Sequence, residues 1–217
     1  MIYTPPADTG LDILFHDEYL LIVNKPSGLL SVPGKGDDKQ DCMALRVQNQ
    51  FADALTVHRL DMATSGIMLM ALGKDMHRQL SILFQNREVD KTYVAVLDGL
   101  LEEDLGSVDL PLITDWPNRP RQIVDYQSGK TSLTHYKVLQ RDQKNQTTRV
   151  ELIPETGRTH QLRVHMQAIG HVIVGDRLYA EPSAQAKSDR LLLHATQLAF
   201  KHPASDETIT IISEPSF

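Results

Sequence analysis

The chain of 217 residues has a single cysteine, Cys42, so it can form no internal disulfide framework and no Cys-rich zinc site. That scarcity favours a reducing compartment. A lone Cys can also be a nucleophile, but QDCMAL reads as the first turn of a helix, the bland alternative. Long apolar runs are missing as well. The apolar runs, such as LLIV and IMLMAL, fall far short of the roughly 20 residues that span a bilayer. MIYTPPADTG has neither the basic nor the apolar region of a signal peptide. The expectation is a cytoplasmic protein with no membrane partner. There is no repeat, no low-complexity tract and no clear interdomain linker, which predicts one domain over residues 1–217. No exposed heptad or long apolar stripe suggests a dimer, so a monomer is expected.

At 41% hydrophobic residues the chain can bury a substantial core, and disorder is excluded. The formal charge of −6 argues weakly against a nucleic-acid partner. Its distribution says more. From Pro117 to Arg163, nine Lys/Arg face four Asp/Glu, a local balance of +5, while the remainder stands at −11. Such asymmetry suits a polyanion site or, equally, a set of solvated strand edges.

Short apolar runs predict paired strands at LDILFH and YLLIV, then a Gly/Pro-rich loop, KPSGLLSVPGKGDDK. DCMALRVQNQF reads as a helix with Asp41 as its N-cap. GIMLMAL and KTYVAVLDG read as strands. Between them, Met76, Leu80, Leu83 and Phe84 form one stripe of an amphipathic helix. LLEEDLGSVDLPLITDWPNRPR reads mostly as loop. Strands follow at RQIVDYQ, TSLTHYKVLQ and TTRVELIP, then a helix, THQLRVHMQAIG, closed by Gly170. LLLHATQLAF and ETITIIS close the chain as strands. Many strands and few helices, without βαβα alternation, make this an α+β fold.

Several familiar chemistries lack their residues. GKT at 129–131 is the tail of a P-loop, but Val124 stands where the first Gly is required. GxGxxG and GxSxG are missing. His160 and His165 lie five apart on the predicted helix, so they point about 140° apart, unlike a metal-binding i, i+4 pair. Paired carboxylates would suit a glycoside hydrolase, but Asp17, Glu18, Asp98 and Asp176 offer no distinguished partner for Asp61.

Two stretches hold polar residues where strands and helices do not need them. In HRLDMATSG, Asp61 stands at the mouth of a buried strand, two residues after Arg59. It can be an ordinary Asx-turn acid or a catalyst. In GRTHQLRVHM, Arg158 and Arg163 fall at a helix start and one turn in, where positive charge opposes the helix dipole. Such a residue calls for an anionic partner: a structural acid, Asp61 or a phosphate.

The order HRLDMATSG, KTYVA, GRTHQLRVHMQAIGHVIVGD and LLLHA, over nearly the whole chain, resembles the RluA-type pseudouridine synthases. DLPLITDWPNRP resembles the RluA subgroup itself. The resemblance implies a mainly antiparallel mixed sheet with flanking helices and a catalytic cleft. It implies isomerisation of uridine to pseudouridine in 23S ribosomal RNA, in a tRNA anticodon stem-loop, or both. No redox cofactor, ATP or metal is implied. Many relatives carry an N-terminal S4 domain; here the pattern starts near Leu11, and none is expected. By position, Asp61 is the catalytic carboxylate, and Arg163 is the cation that pairs with it. A nearby cation favours the charged form of a buried acid. Tyr93 packs on the target base. Arg59 fills the space left when that base is flipped out, and His58 and Arg158 are expected to contact substrate. A non-catalytic RNA-binding protein would be expected to have lost one of Asp61, Tyr93 and Arg163.

If the basic segment contacts phosphates, binding of a tRNA or ribosomal RNA fragment should weaken steeply from about 50 to about 200 mM salt. A filter-binding titration at several salt concentrations measures this. A flat response would remove the electrostatic contact.

Overall fold

A computed structural model describes residues 3–217. The chain forms two compact units, one comprising residues up to Lys91 with His194–Ser216, the other Thr92–Leu193 with Phe217.

The first unit is built around two strands too apolar to lie anywhere but inside. β1 (Ile13–His16) turns into β2 (Leu20–Lys25). The turn is fixed by Asp17, whose Oδ1 accepts the amides of Tyr19 and Leu20, both at 2.8 Å. β2 runs antiparallel to β4 (Ser65–Leu72), from Leu20↔Ala71 to Lys25↔Gly66. β3 (Ala54–Thr56) also pairs with β4. β11 (Leu193–Lys201) joins β4 in parallel at His194↔Ser65 and Ala195↔Gly66, and β12 (Thr208–Ile212) is antiparallel to β11.

Successive strand residues point to opposite faces, so LLIV and IMLMAL each feed two cores. On one face Leu20, Ile22, Ile67 and Leu69 pack with Met76 and Leu80 of α2 (Lys74–Asn86). On the other, Leu21, Val23, Met68 and Met70 pack with Met43, Ala44 and Val47 of α1 (Met43–Gln48). The α2 stripe therefore lies where its spacing predicts, with Leu83 and Phe84 partly buried against the same core. The N-cap of α1 is Cys42, not Asp41. Asp41 instead makes a bidentate pair with Arg46, both contacts at 2.8 Å. That pair holds its carboxyl below the usual carboxylate range.

In the second unit β5 (Asp90–Asp98), β10 (Thr147–Pro154), β9 (Leu133–Asp142) and β6 (Leu105–Asp109) pair in that order, all antiparallel. β7 (Leu112–Thr114) and β8 (Gln122–Val124) form a separate hairpin. The helices are α3 (Gln161–Ala168) and α4 (Pro182–Gln185). The stretch read as mostly loop thus contains β6 and β7. Polar residues and Gly106 hide β6, which is stabilised by its register against β9 rather than by its own apolar content. Arg158 lies three residues before α3, not in it. Gly170 (φ 85) ends the helix as its spacing predicts. GKT lies between β8 and β9, with no helix after it. Among the described residues, no helix is long and apolar enough to cross a membrane.

Gly66, the second residue of β4, leaves no room for a side chain. Its φ is 112, and an added Cβ would lie 2.3 Å from the Ala195 carbonyl oxygen. Gly66→Ala should lose about 3 kcal/mol of stability or more in urea unfolding, because strain and a backbone clash act together.

Candidate active site

The segment between β3 and β4 carries His58, Arg59 and Asp61, and its backbone is held carbonyl by carbonyl. Ser31 Oγ donates to Leu60 O at 2.7 Å and accepts the Leu60 amide at 3.1 Å. Asp61 O accepts the Thr64 amide at 3.1 Å, closing a turn. Met62 O accepts the Gly28 amide at 2.8 Å and Lys25 Nζ at 3.2 Å. Ala63 O accepts Ser27 Oγ at 2.7 Å. The KPSGLLS loop is therefore a clamp on the Asp61 loop.

Lys25 is the centre of that clamp, although its sequence context, KPSGLLSVPGKGDDK, reads only as a loop. Its side chain is 0% exposed. Nζ also donates to Pro26 O at 2.9 Å and Leu29 O at 2.7 Å. Three carbonyls converge on one ammonium, which is how a lysine can be buried. The sequence signal was a Lys directly after a buried apolar run.

Ser65, the first residue of β4, hydrogen-bonds His194 Nδ1 at 2.8 Å. His194 Nε2 meets Ser213 O at 3.1 Å. Because a carbonyl only accepts, Nε2 carries the proton, so in the neutral ring Ser65 donates to Nδ1. Asp61 is half-buried on this rigid frame and Arg59 is exposed.

His58 is held inside the unit. Its Nε2 accepts the Leu69 amide at 2.9 Å, and its ring stacks on Phe84 at 4.7 Å. That bond ties the loop to β4. Burial, aided by the charge of Lys91, lowers its pKa to about 4.

In the second unit Tyr93 is half-buried on β5, opposite Leu152. Arg163, in the first turn of α3, is 4% exposed. It holds Asp176 in a two-point pair, Nε to Oδ2 and an Nη to Oδ1, both at 2.7 Å. Asp176 is 0% exposed, and its Oδ1 also accepts the amides of Leu178 and Tyr179, at 2.9 and 3.2 Å. This carboxylate is one anionic partner of the arginine. Spacing alone left it one of four undistinguished acids.

The rest of GRTHQLRVH is also committed. Gln161 Oε1 accepts Thr156 Oγ1 at 2.7 Å and the Arg158 amide at 3.0 Å. Arg158 is half-buried, and its Nε donates to Thr131 O at 3.2 Å. His165 is buried between Thr134 Oγ1 at 2.9 Å and Ser132 Oγ at 3.0 Å, and burial lowers its pKa. Among the described residues, no three His, Cys, Asp or Glu side chains gather where they could hold a metal ion.

The basic segment divides in two. Arg141 pairs with Asp104 at 2.7 Å, Arg149 is bound to the Phe217 backbone oxygen, and Arg163 is held by Asp176. Arg119 and Lys130, around the β7–β8 hairpin, are exposed, and so are Lys137 and Lys144.

His58 has a depressed pKa, so the unfolded chain takes up its proton more readily. The stability it contributes is whole above about pH 6.5 and is lost as pH falls toward 4. An imidazole NMR titration should find this ring neutral at pH 5. His58→Leu should flatten the dependence of urea stability on pH across that window.

Comparison with known proteins follows the same residues. A family model described as RNA pseudouridylate synthase matches residues 19–168. A Pasteurella multocida protein named dual-specificity RNA pseudouridine synthase RluA is 52% identical over 215 residues, 99% of this chain and 98% of that protein. The Escherichia coli K12 protein of the same name is 50% identical with the same coverage. Among solved structures, human RNA pseudouridylate synthase domain containing 1 matches with a TM-score of 0.81 at 30% identity, over 99% of this chain and 87% of that one. Human domain containing 4 matches with a TM-score of 0.73 at 27% identity, over 94% and 89%. The chain therefore belongs to the RNA pseudouridylate synthase family, enzymes that isomerise uridine in RNA.

Proposed function

We propose that this enzyme converts specific uridines of both 23S ribosomal RNA and a tRNA anticodon stem-loop to pseudouridine, with Asp61 as the catalytic carboxylate. Identity near 50% to proteins named as dual-specificity synthases supports the pair of substrates. The observation that carries the assignment of Asp61 is its presentation. Each carbonyl from Leu60 to Ala63 is hydrogen-bonded, so the backbone from which this side chain projects is fixed at the mouth of a buried strand.

The reaction breaks N1–C1′, turns the uracil and joins C5 to C1′. The C5 proton leaves, N1 gains a proton, and the net change is an isomerisation. Ionised Asp61 either attacks the sugar or the base, or removes the C2′ proton. In each route the anion needs a fixed cation, and Arg163 is assigned that role. Tyr93 stacks on the uracil and helps remove the C5 proton. Arg59, exposed two residues before Asp61, enters the helix or loop from which the base is flipped. Arg158 contacts phosphate, while His58 serves the loop. The protein acts as a cytoplasmic monomer and reads RNA with the surface of the catalytic fold itself.

The test uses C5-tritiated uridine in a tRNA and in a 23S fragment. Wild type should release tritium to water from both, and Asp61→Ala should release none while still binding. Release that survives Asp61→Ala would overturn the assignment. Binding without release by wild type would favour an RNA-binding protein that does no chemistry.

A further inference from the structure

Tyr179 joins the β7–β8 hairpin to helix α3. Its hydroxyl oxygen accepts the Gln122 amide of β8 at 2.8 Å. It also lies 2.7 Å from His160 Nδ1, just before α3. Which of the two atoms donates depends on the tautomer of that imidazole. The ring lies under two guanidiniums, 5.1 Å from that of Arg163 and 5.4 Å from that of Arg121. The Tyr179 amide binds Asp176 Oδ1, the same oxygen that receives Arg163. One residue thus touches the hairpin and both members of the buried ion pair, Arg163 through its ring and Asp176 through its backbone amide.

The hairpin itself is short. Its two strands have three residues each, and an isolated two-stranded ribbon is marginal in water. Leu112 of β7 packs in one cluster with Val164 of α3 and Tyr179, with Val124 of β8 against them. At the tip Trp116 is 65% exposed and Arg119 lies 4.6 Å over its ring. A flat aromatic surface with a stacked cation suits an unpaired base.

We infer that Tyr179 is a positioning residue that latches the hairpin to the Arg163–Asp176 pair, so that RNA seated on the hairpin tip sets the arginine for chemistry. This rests on the reading of Arg163 as the cation that serves Asp61. Coupling of this kind is reciprocal: what orders the hairpin orders Tyr179, and the converse. The energy of RNA binding would then be used in kcat rather than in affinity alone.

Tyr179→Phe keeps the ring and removes both hydroxyl bonds. Single-turnover and steady-state tritium release would be measured for wild type, Tyr179→Phe, Trp116→Ala and the double variant, with Asp61→Ala beside them. Tyr179→Phe should bind the RNA within about twofold of wild type and lose about tenfold in kcat. Trp116→Ala should lower kcat in the wild-type background and leave it unchanged in Tyr179→Phe. Two kcat losses that multiply would overturn the latch, as would a Tyr179→Phe variant with normal kcat or a Trp116→Ala effect confined to KM. In those cases an active wild type and an inactive Asp61→Ala would leave the proposed function intact. An inactive wild type, or an active Asp61→Ala, would mark failure of that reading instead. Hydrogen exchange at the Gln122 amide gives a check on unaltered protein. RNA should slow it, and exchange unchanged by RNA at saturation would overturn the proposal even if Tyr179→Phe does not fold.

Discussion

Four successive carbonyls, Leu60 to Ala63, belong to a loop with no ladder of its own, and every one of them must find a donor. The second strand and the loop after it supply Lys25, Gly28, Ser27 and Ser31, and the loop's own turn supplies the Thr64 amide. The rest of the first unit follows from this requirement. β2 must lie beside β4 in one register to bring Lys25 to Met62, and that register places the apolar residues of both strands on their two cores. Each buried carbonyl left without a donor would cost about 1–3 kcal/mol, so the clamp and the sheet register stabilise one another. A side chain mounted on such a loop is preorganised at no further entropic cost when substrate arrives.

The second unit solves a different problem, a charge buried on a helix. Desolvating an arginine and a carboxylate costs several kcal/mol per ion, and only near-ideal geometry offsets that. Arg163 and Asp176 meet in two parallel contacts, and two backbone amides also bind Asp176 Oδ1. Such a pair adds little net stability. Its value is orientation, since a planar guanidinium held at two points has one direction left in which to act. Tyr179 bears on the same guanidinium, so the hairpin and the ion pair share one frame.

Much of the fold was legible because two-sided burial leaves a plain trace. LLIV and IMLMAL had to be interior strands, and the α2 stripe had to face a core. β6 was not legible, because its stability lies in pairing with β9 and not in its residues. The cap of α1 was misplaced for a related reason. Asp41 has the right chemistry for an N-cap, but Arg46 competes for the carboxylate and wins with two bonds. His58 looked like part of a binding motif, whereas its ring nitrogen faces a β4 amide.

The sequence by itself determined the chemistry available: an acid at a strand mouth, an arginine where a helix does not want one, and the order of motifs that marks the family. These are local patterns, and residue type and spacing are enough to reveal them. Tertiary structure alone decided the partners. That Lys25 is buried beneath the Asp61 loop depends on three carbonyls converging from Pro26, Leu29 and Met62. That Arg163 meets Asp176 depends on a turn 13 residues away folding back over α3. Hydrogen bonds require donors and acceptors to meet within about 3 Å, and residues distant along the chain reach that separation only once the chain has folded.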